Sequence, residues 1–92
     1  MKVNFYATYR PIVGGKTVDF DVDHGLTVQQ LVEVIVARFP AMRREMLDEN
    51  GQLYSHVHIF VNGRDACYLD NGMETVIQAE DTLNIFPPVG GG

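Results

Sequence analysis

Residues 82–92 read Thr-Leu-Asn-Ile-Phe-Pro-Pro-Val-Gly-Gly-Gly. The first five alternate as a short strand does, with Leu83 and Ile85 facing a core and Phe86 facing away. Pro87 and Pro88 stop that strand, because neither can donate to a β-ladder. Six residues from Pro87 onward span about 20 Å when extended, enough to reach a pocket in another protein. With glycine at about 7% of residues, two terminal glycines arise by chance in roughly 0.5% of chains. The competing reading is an uninformative loose end, the ordinary state of a terminus. Placed directly after a strand and a diproline, the glycines instead point to a working tail over 87–92 attached to a domain over 1–86.

Working back from the tail, Val57, Ile59 and Val61 alternate with His58, Phe60 and Asn62, which marks another strand, and Asn62-Gly63 is a strong hairpin signal. A fourth strand is expected near Ala66 to Leu69, followed by a compact connection after Asp70-Asn71-Gly72. At the other end, Val3, Phe5 and Ala7 alternate with Asn4, Tyr6 and Thr8, and Val18, Phe20 and Val22 alternate with Asp19, Asp21 and Asp23. Gly14-Gly15 lies between these two strands, Val3 to Thr8 and Thr17 to Asp23, so they are expected to form a β-hairpin. Between the two halves, Thr27 followed by Gln30 fits a capping box. Val28, Leu31, Val32, Ile35 and Phe39 then recur at 3- and 4-residue spacings until Pro40, which predicts a helix despite its β-branched interior. Ala41 to Leu47 adds a further turn or two, and Asp48-Glu49-Asn50-Gly51 is a polar turn.

Ninety-two residues make one small domain. A chain of this size buries only about 60–65% of its unfolded surface, which disfavours a large enclosed catalytic pocket. Seven Lys and Arg against twelve Asp and Glu give a net charge of −5, a poor match for nucleic acid or an anionic membrane. One cysteine, Cys67, cannot form an internal disulfide, so a reducing cytosol is the expected compartment. No segment approaches the roughly 20 apolar residues of a spanning helix, and Met1-Lys2 runs straight into a strand without a signal-peptide core.

The element order, the ending Phe86-Pro87-Pro88-Val89-Gly90-Gly91-Gly92 and the stretch Val61-Asn62-Gly63-Arg64 resemble the MoaD/ThiS family of β-grasp sulfur carriers, among them the small subunits of molybdopterin synthase and the archaeal small modifier proteins. Glu80-Asp81 stands where that family often has Gly-Asp, and Gly90 where many relatives have Ala or Ser. The resemblance implies an α+β, ubiquitin-like β-grasp fold: a mixed sheet of four to five strands, in order 2-1-5-3-4, packed on one main helix, with a flexible C-terminal Gly-Gly tail. It also implies a carrier rather than an enzyme. Gly92 would be adenylated by an E1-like adenylating enzyme that consumes ATP, then converted to a thiocarboxylate by a persulfide sulfur donor. Sulfur would then pass to a molybdopterin synthase large subunit or another sulfur acceptor. Alternatives are conjugation to lysines through Gly92, as by a ubiquitin-like modifier, or sulfur donation for tRNA thiolation or thiamine. No cofactor or metal is expected on the globule itself.

Chemistry fits those roles. A free carboxylate is a poor acyl donor until adenylation gives it a leaving group. Glycines at 90, 91 and 92 let the backbone thread a narrow channel together with Val89, while Pro87 and Pro88 are already restricted and reduce the ordering entropy at the base. By strand parity Tyr6, Phe60 and Phe86 point away from the helix, and in the strand order that the resemblance implies they become neighbours at the tail's base, so they are the expected partner-binding patch; the Arg43 to Tyr54 loop could instead cover them. Lys2 and Lys16 are the chain's two lysines and its possible conjugation acceptors. His56 and His58 on one strand face lack further ligands at zinc spacing and read as surface histidines. Asp19, Asp21 and Asp23 read as a solvated face, and a lone cysteine such as Cys67 is more often a small core hydrophobe than a persulfide carrier.

Overall fold

The computed structural model describes residues 1–88. Strands β1 (Lys2–Phe5), β2 (Thr17–Asp19), β3 (His58–Val61), β4 (Arg64–Asp65) and β5 (Leu83–Phe86) form one sheet in the order β2-β1-β5-β3-β4. Its centre joins sequence-distant segments: β1 runs parallel to β5, with Val3 opposite Leu83 and Phe5 opposite Ile85, while β5 runs antiparallel to β3. This is the expected strand order, with five strands and mixed directions.

Across one face lies α2 (Val28–Arg38). The Thr27 hydroxyl accepts from the Gln30 backbone N–H at 3.1 Å and the Gln30 side-chain carbonyl accepts from the Thr27 N–H at 2.8 Å, so two otherwise orphaned donors at the helix start are satisfied. The 3- and 4-residue spacing puts Val28, Leu31, Val32 and Ile35 at 0% exposure, in one cluster with Val3, Phe5, Ile59, Leu83 and Ile85 from the strands. Each such aliphatic contributes about 1.5–3 kcal/mol by leaving water. Tertiary packing therefore overrides the β-branched character of Val-Glu-Val-Ile-Val. Phe39 ends the helix before Pro40 and meets Phe20 edge-on at 6.1 Å. A second short helix, α3 (Ala41–Met46), follows as expected, burying Met42 and Met46. In the polar turn after it, the Asp48 carboxylate accepts from the backbone N–H groups of Asn50 and Gln52.

Several sequence expectations need correction. The first strand stops at Phe5, and Ala7, expected to face inward, is exposed with φ 51°. The chain there turns into α1 (Tyr9–Val13), so β1 and β2 pair antiparallel through a helical connection rather than a tight hairpin. Pro11 sits in the first turn of α1, where its missing N–H costs no hydrogen bond, and Gly14 closes the helix at φ 89°. Tyr9 and Val13, four residues apart, are buried. The second strand ends at Asp19, although Phe20 beyond it is still buried. The fourth strand begins at once after Asn62-Gly63, both at positive φ as a two-residue hairpin turn requires, and Ala66–Tyr68 is a 3₁₀ turn instead of a strand.

Candidate functional site

Among the described residues no helix covers the opposite face of the sheet, and its side chains come from the alternate positions of the same strands. Registers align Thr17, Asn4, Asn84, Phe60 and Asp65 in one row from β2 to β4. The Thr17 hydroxyl donates to Asn4 Oδ1 at 2.7 Å and Asn4 Nδ2 donates to Asn84 Oδ1 at 3.1 Å. Asn84 Oδ1 also accepts from the Tyr6 hydroxyl at 2.7 Å.

Tyr6, Phe60 and Phe86 meet beside that row. Tyr6 stacks on Phe86 with ring centroids 4.1 Å apart, and Phe60 meets Phe86 edge-on at 5.3 Å. All three are half-buried, and with Gly63 and Asn84 they line a cleft of about 270 Å³. The Arg43 to Tyr54 segment does not line this cleft; Arg43 and Tyr54 border a separate groove with Pro40 and Glu49. Arg10 fixes the orientation of Tyr6: its guanidinium lies 5.1 Å from the ring centre while Nε donates to the Phe5 carbonyl at 2.9 Å. Strand parity therefore brings together the three expected aromatics. Phe86 leads directly into Pro87, half-buried, and Pro88, exposed. The other expected tail residues, Val89, Gly90, Gly91 and Gly92, lie outside the described residues.

At the β3–β4 rim, His58 Nδ1 lies 2.8 Å from Asp65 Oδ2, and Asp65 Oδ1 accepts from the Cys67 N–H at 3.1 Å. Burial acts to raise the Asp65 carboxyl, but hydrogen bonds from His58 and the Cys67 backbone outweigh it and hold the group below its ordinary value. Cys67 is exposed, not a core residue. A hydrogen bond to Asp65 is the main cause that holds its thiol above the ordinary value, so little thiolate forms at neutral pH. His56 lies in the turn before β3, not on the strand face of His58, and stacks on Tyr54. Asp19, Asp21 and Asp23 are exposed, as are Lys2 on β1 and Lys16 before β2. Among the described residues no group of His, Cys, Asp or Glu could hold a metal ion, and no helix is long and apolar enough to cross a membrane.

Sequence reasoning missed Arg10 and the Asn4–Asn84 pair. Parity placed both asparagines on the outer face, but a polar residue there is the background expectation, and the register that joins them is a property of the assembled sheet. Arg10 was hidden with α1.

A helix-backed β-grasp sheet with a bare aromatic face at the end of its last strand defines the class of ubiquitin-like carriers and modifiers. The family model described as the ThiS family matches residues 3–92, and the chain belongs to that family. It is 34% identical over 92 residues to the small archaeal modifier protein 3 of Haloferax volcanii, covering 100% of this chain and 98% of the relative. The crystal structure of SAMP1 from Haloferax volcanii superposes with a TM-score of 0.85 at 32% identity, covering 100% of this chain and 98% of that one. A chain in the crystal structure of the Amycolatopsis orientalis BexX/CysO complex matches with a TM-score of 0.78 at 27% identity, over 99% of this chain and 98% of that one. The protein is thus a member of a family of sulfur carriers and ubiquitin-like modifiers, and its relatives are small modifier and carrier proteins.

Proposed function

We propose that the chain is a sulfur carrier activated at the Gly92 carboxylate, delivering its sulfur in molybdopterin synthesis. The observation that carries this reading is the aromatic face of Tyr6, Phe60 and Phe86, which ends at the base of Pro87-Pro88 and gives a partner enzyme something to grip beside the tail. The carboxylate attacks the α-phosphorus of ATP, held by an E1-like enzyme, and pyrophosphate leaves. The terminal sulfur of a donor persulfide then attacks the acyl carbon and AMP departs. A thiol cleaves the resulting acyl disulfide, leaving the thiocarboxylate on Gly92 and a disulfide on the donor side. The globule itself supplies docking and no reacting group, and ATP enters only as the activating enzyme's substrate.

A second reading is supported by the likeness to small archaeal modifier proteins along the whole chain: the same activated Gly92 is joined to lysines of other proteins. Intact-mass measurement after incubation with an E1-like enzyme, ATP and a persulfide donor separates these outcomes. The expected result is one oxygen-for-sulfur exchange that is lost on deleting Gly91-Gly92, with the thermal transition unchanged. Sulfur found on Cys67 instead would overturn the proposal. Isopeptides from Gly92 to partner lysines in cell-derived conjugates would establish the modifier role, and any self-conjugate through an ε-amine must use Lys2 or Lys16.

A further inference from the structure

One carboxylate stands beside the aromatic cluster on the outer face. Asp65 lies opposite Phe60 in the β3–β4 register, and its side chain is only 13% exposed. Both of its oxygens are engaged from within the chain, Oδ2 by His58 Nδ1 at 2.8 Å and Oδ1 by the Cys67 N–H at 3.1 Å. The carboxyl is ionised at neutral pH and an ionised carboxylate only accepts, so Nδ1 carries the proton of that bond. Turning the ring over would set a carbon against Asp65, so its orientation is fixed. Nε2, on the far side of the ring, has no hydrogen-bond partner among the described residues. His58 is the open half of the pair: its side chain is 41% exposed, its ring centre lies 6.3 Å from that of Phe60, and it pairs across the sheet with Phe86, the last residue of β5.

The pair has two charge states. With a neutral imidazole it carries the charge of Asp65 alone and Nε2 accepts; with an imidazolium it is neutral overall and Nε2–H donates. Water tolerates both while the face is open. A protein laid over Phe60 also covers Asp65 beside it, and a carboxylate buried there without a counter-charge carries a heavy desolvation cost. No Lys or Arg lies within salt-bridge distance of Asp65 among the described residues. Arg64 of β4 stands opposite inward-facing Val61, on the other side of the ladder, and β5 brings no titratable side chain to His58. From the 3₁₀ turn, the Cys67 thiol is held in its uncharged form and Tyr68 is exposed. His56 stacks on Tyr54, and Arg10 is held by the Tyr6 ring and the Phe5 carbonyl. The counter-charge therefore falls to His58. We propose that His58 is a specificity-determining residue of the docking face: the activating enzyme binds it as an imidazolium, held by Asp65 at Nδ1 and donating from Nε2 to an acceptor oxygen of that enzyme, so that docking takes up a proton from solvent. This rests on the docking role proposed above for the aromatic face. Asp65 acts as a positioning residue, because its bond to Nδ1 keeps Nε2 directed outward.

Calorimetric titration of the full chain into the activating enzyme, at about pH 7.5 in two buffers of different ionisation enthalpy, counts the protons taken up on docking. The parent chain is expected to show net uptake, and an affinity that falls by up to about tenfold per pH unit between about pH 6 and 8. His58→Gln cannot gain the proton and should lose that uptake, binding about 10- to 100-fold more weakly than the parent at about pH 6, the range for a lost hydrogen bond to a charged group. Asp65→Asn removes the charge that demands the proton. Its amide can donate to Nδ1 of a neutral ring that keeps its hydrogen on Nε2, so this variant should bind almost equally across the same range. His56→Gln should keep the parent profile, and thermal unfolding confirms that each variant is folded. Absence of proton uptake by the parent chain would overturn the assignment, as would the same uptake in His58→Gln or an affinity of that variant within twofold of the parent at about pH 6. Phe86→Ala serves as the control for the underlying reading. If it binds like the parent chain, the docking face itself is wrong; if it binds weakly while His58→Gln keeps the parent's affinity and uptake, only the role of His58 falls.

Discussion

The two faces of the sheet are made from alternate residues of the same strands, yet they do opposite things. On β5, Leu83 and Ile85 are at 1% and 0% exposure under α2, whereas Asn84 and Phe86 between and after them stay half-open. On β3, Ile59 and Val61 go inward and His58 and Phe60 outward. The inner face is wholly apolar and satisfied by packing alone. The outer face holds a hydrogen-bonded row from Thr17 to Asn84, a cluster of three aromatics and the His58–Asp65 pair. The inner face stabilises the fold; the outer face, whose rings are only partly desolvated in the free chain, is the docking surface proposed above.

Substitutions on the two faces should therefore separate stability from binding. Ile85→Ala is expected to cost about 3–4 kcal/mol of unfolding free energy in denaturant titration, through lost transfer energy and a cavity that β1, β3 and α2 cannot fill. A cost below about 1 kcal/mol would contradict the packed inner face. Thr27→Ala removes one half of the capping box and should cost about 1 kcal/mol, with affinity for the activating enzyme per folded molecule unaltered, since α2 lies behind the sheet.

Acid titration gives the smallest expected effect. The Asp65 carboxyl is held below its unfolded value of about 3.9, so its contribution is fully present above that pH and is lost as pH falls through the folded value. Asp65→Asn should flatten the fall in thermal midpoint below about pH 4, read from thermal unfolding across an acid series. An identical acid limb in the variant would show that the His58–Asp65 pair contributes nothing.

Much of this division was legible in the residues. The period of two in Val57 to Asn62 and Thr82 to Phe86 set inward against outward, and the Thr27–Gln30 box with Pro40 bracketed α2, because local chemistry decides both. Tyr6, Phe60 and Phe86 could be grouped once a strand order was supplied. What stayed hidden depended on assembled geometry or disguise. Tyr9–Val13 is too short and too proline-marked for a periodic signal, so Arg10 above the Tyr6 ring was invisible. Nothing local in Ala66 to Leu69 argues against a strand, but the tight turn at Asn62-Gly63 puts Arg64–Asp65 in the ladder and the chain then curls into the 3₁₀ turn Ala66–Tyr68. The pairing of Asn4 with Asn84 joins positions 80 residues apart, which no local pattern encodes.

The most direct test of the two-face account takes Phe60→Ala and Phe86→Ala and measures, on the same samples, unfolding free energy and affinity for the activating enzyme. The expected result is a loss of about 1–3 kcal/mol in binding per folded molecule, with less lost in stability than for Ile85→Ala. Stability losses of about 3–5 kcal/mol with unchanged affinity would contradict it, making these rings part of the core and placing the docking surface elsewhere on the molecule.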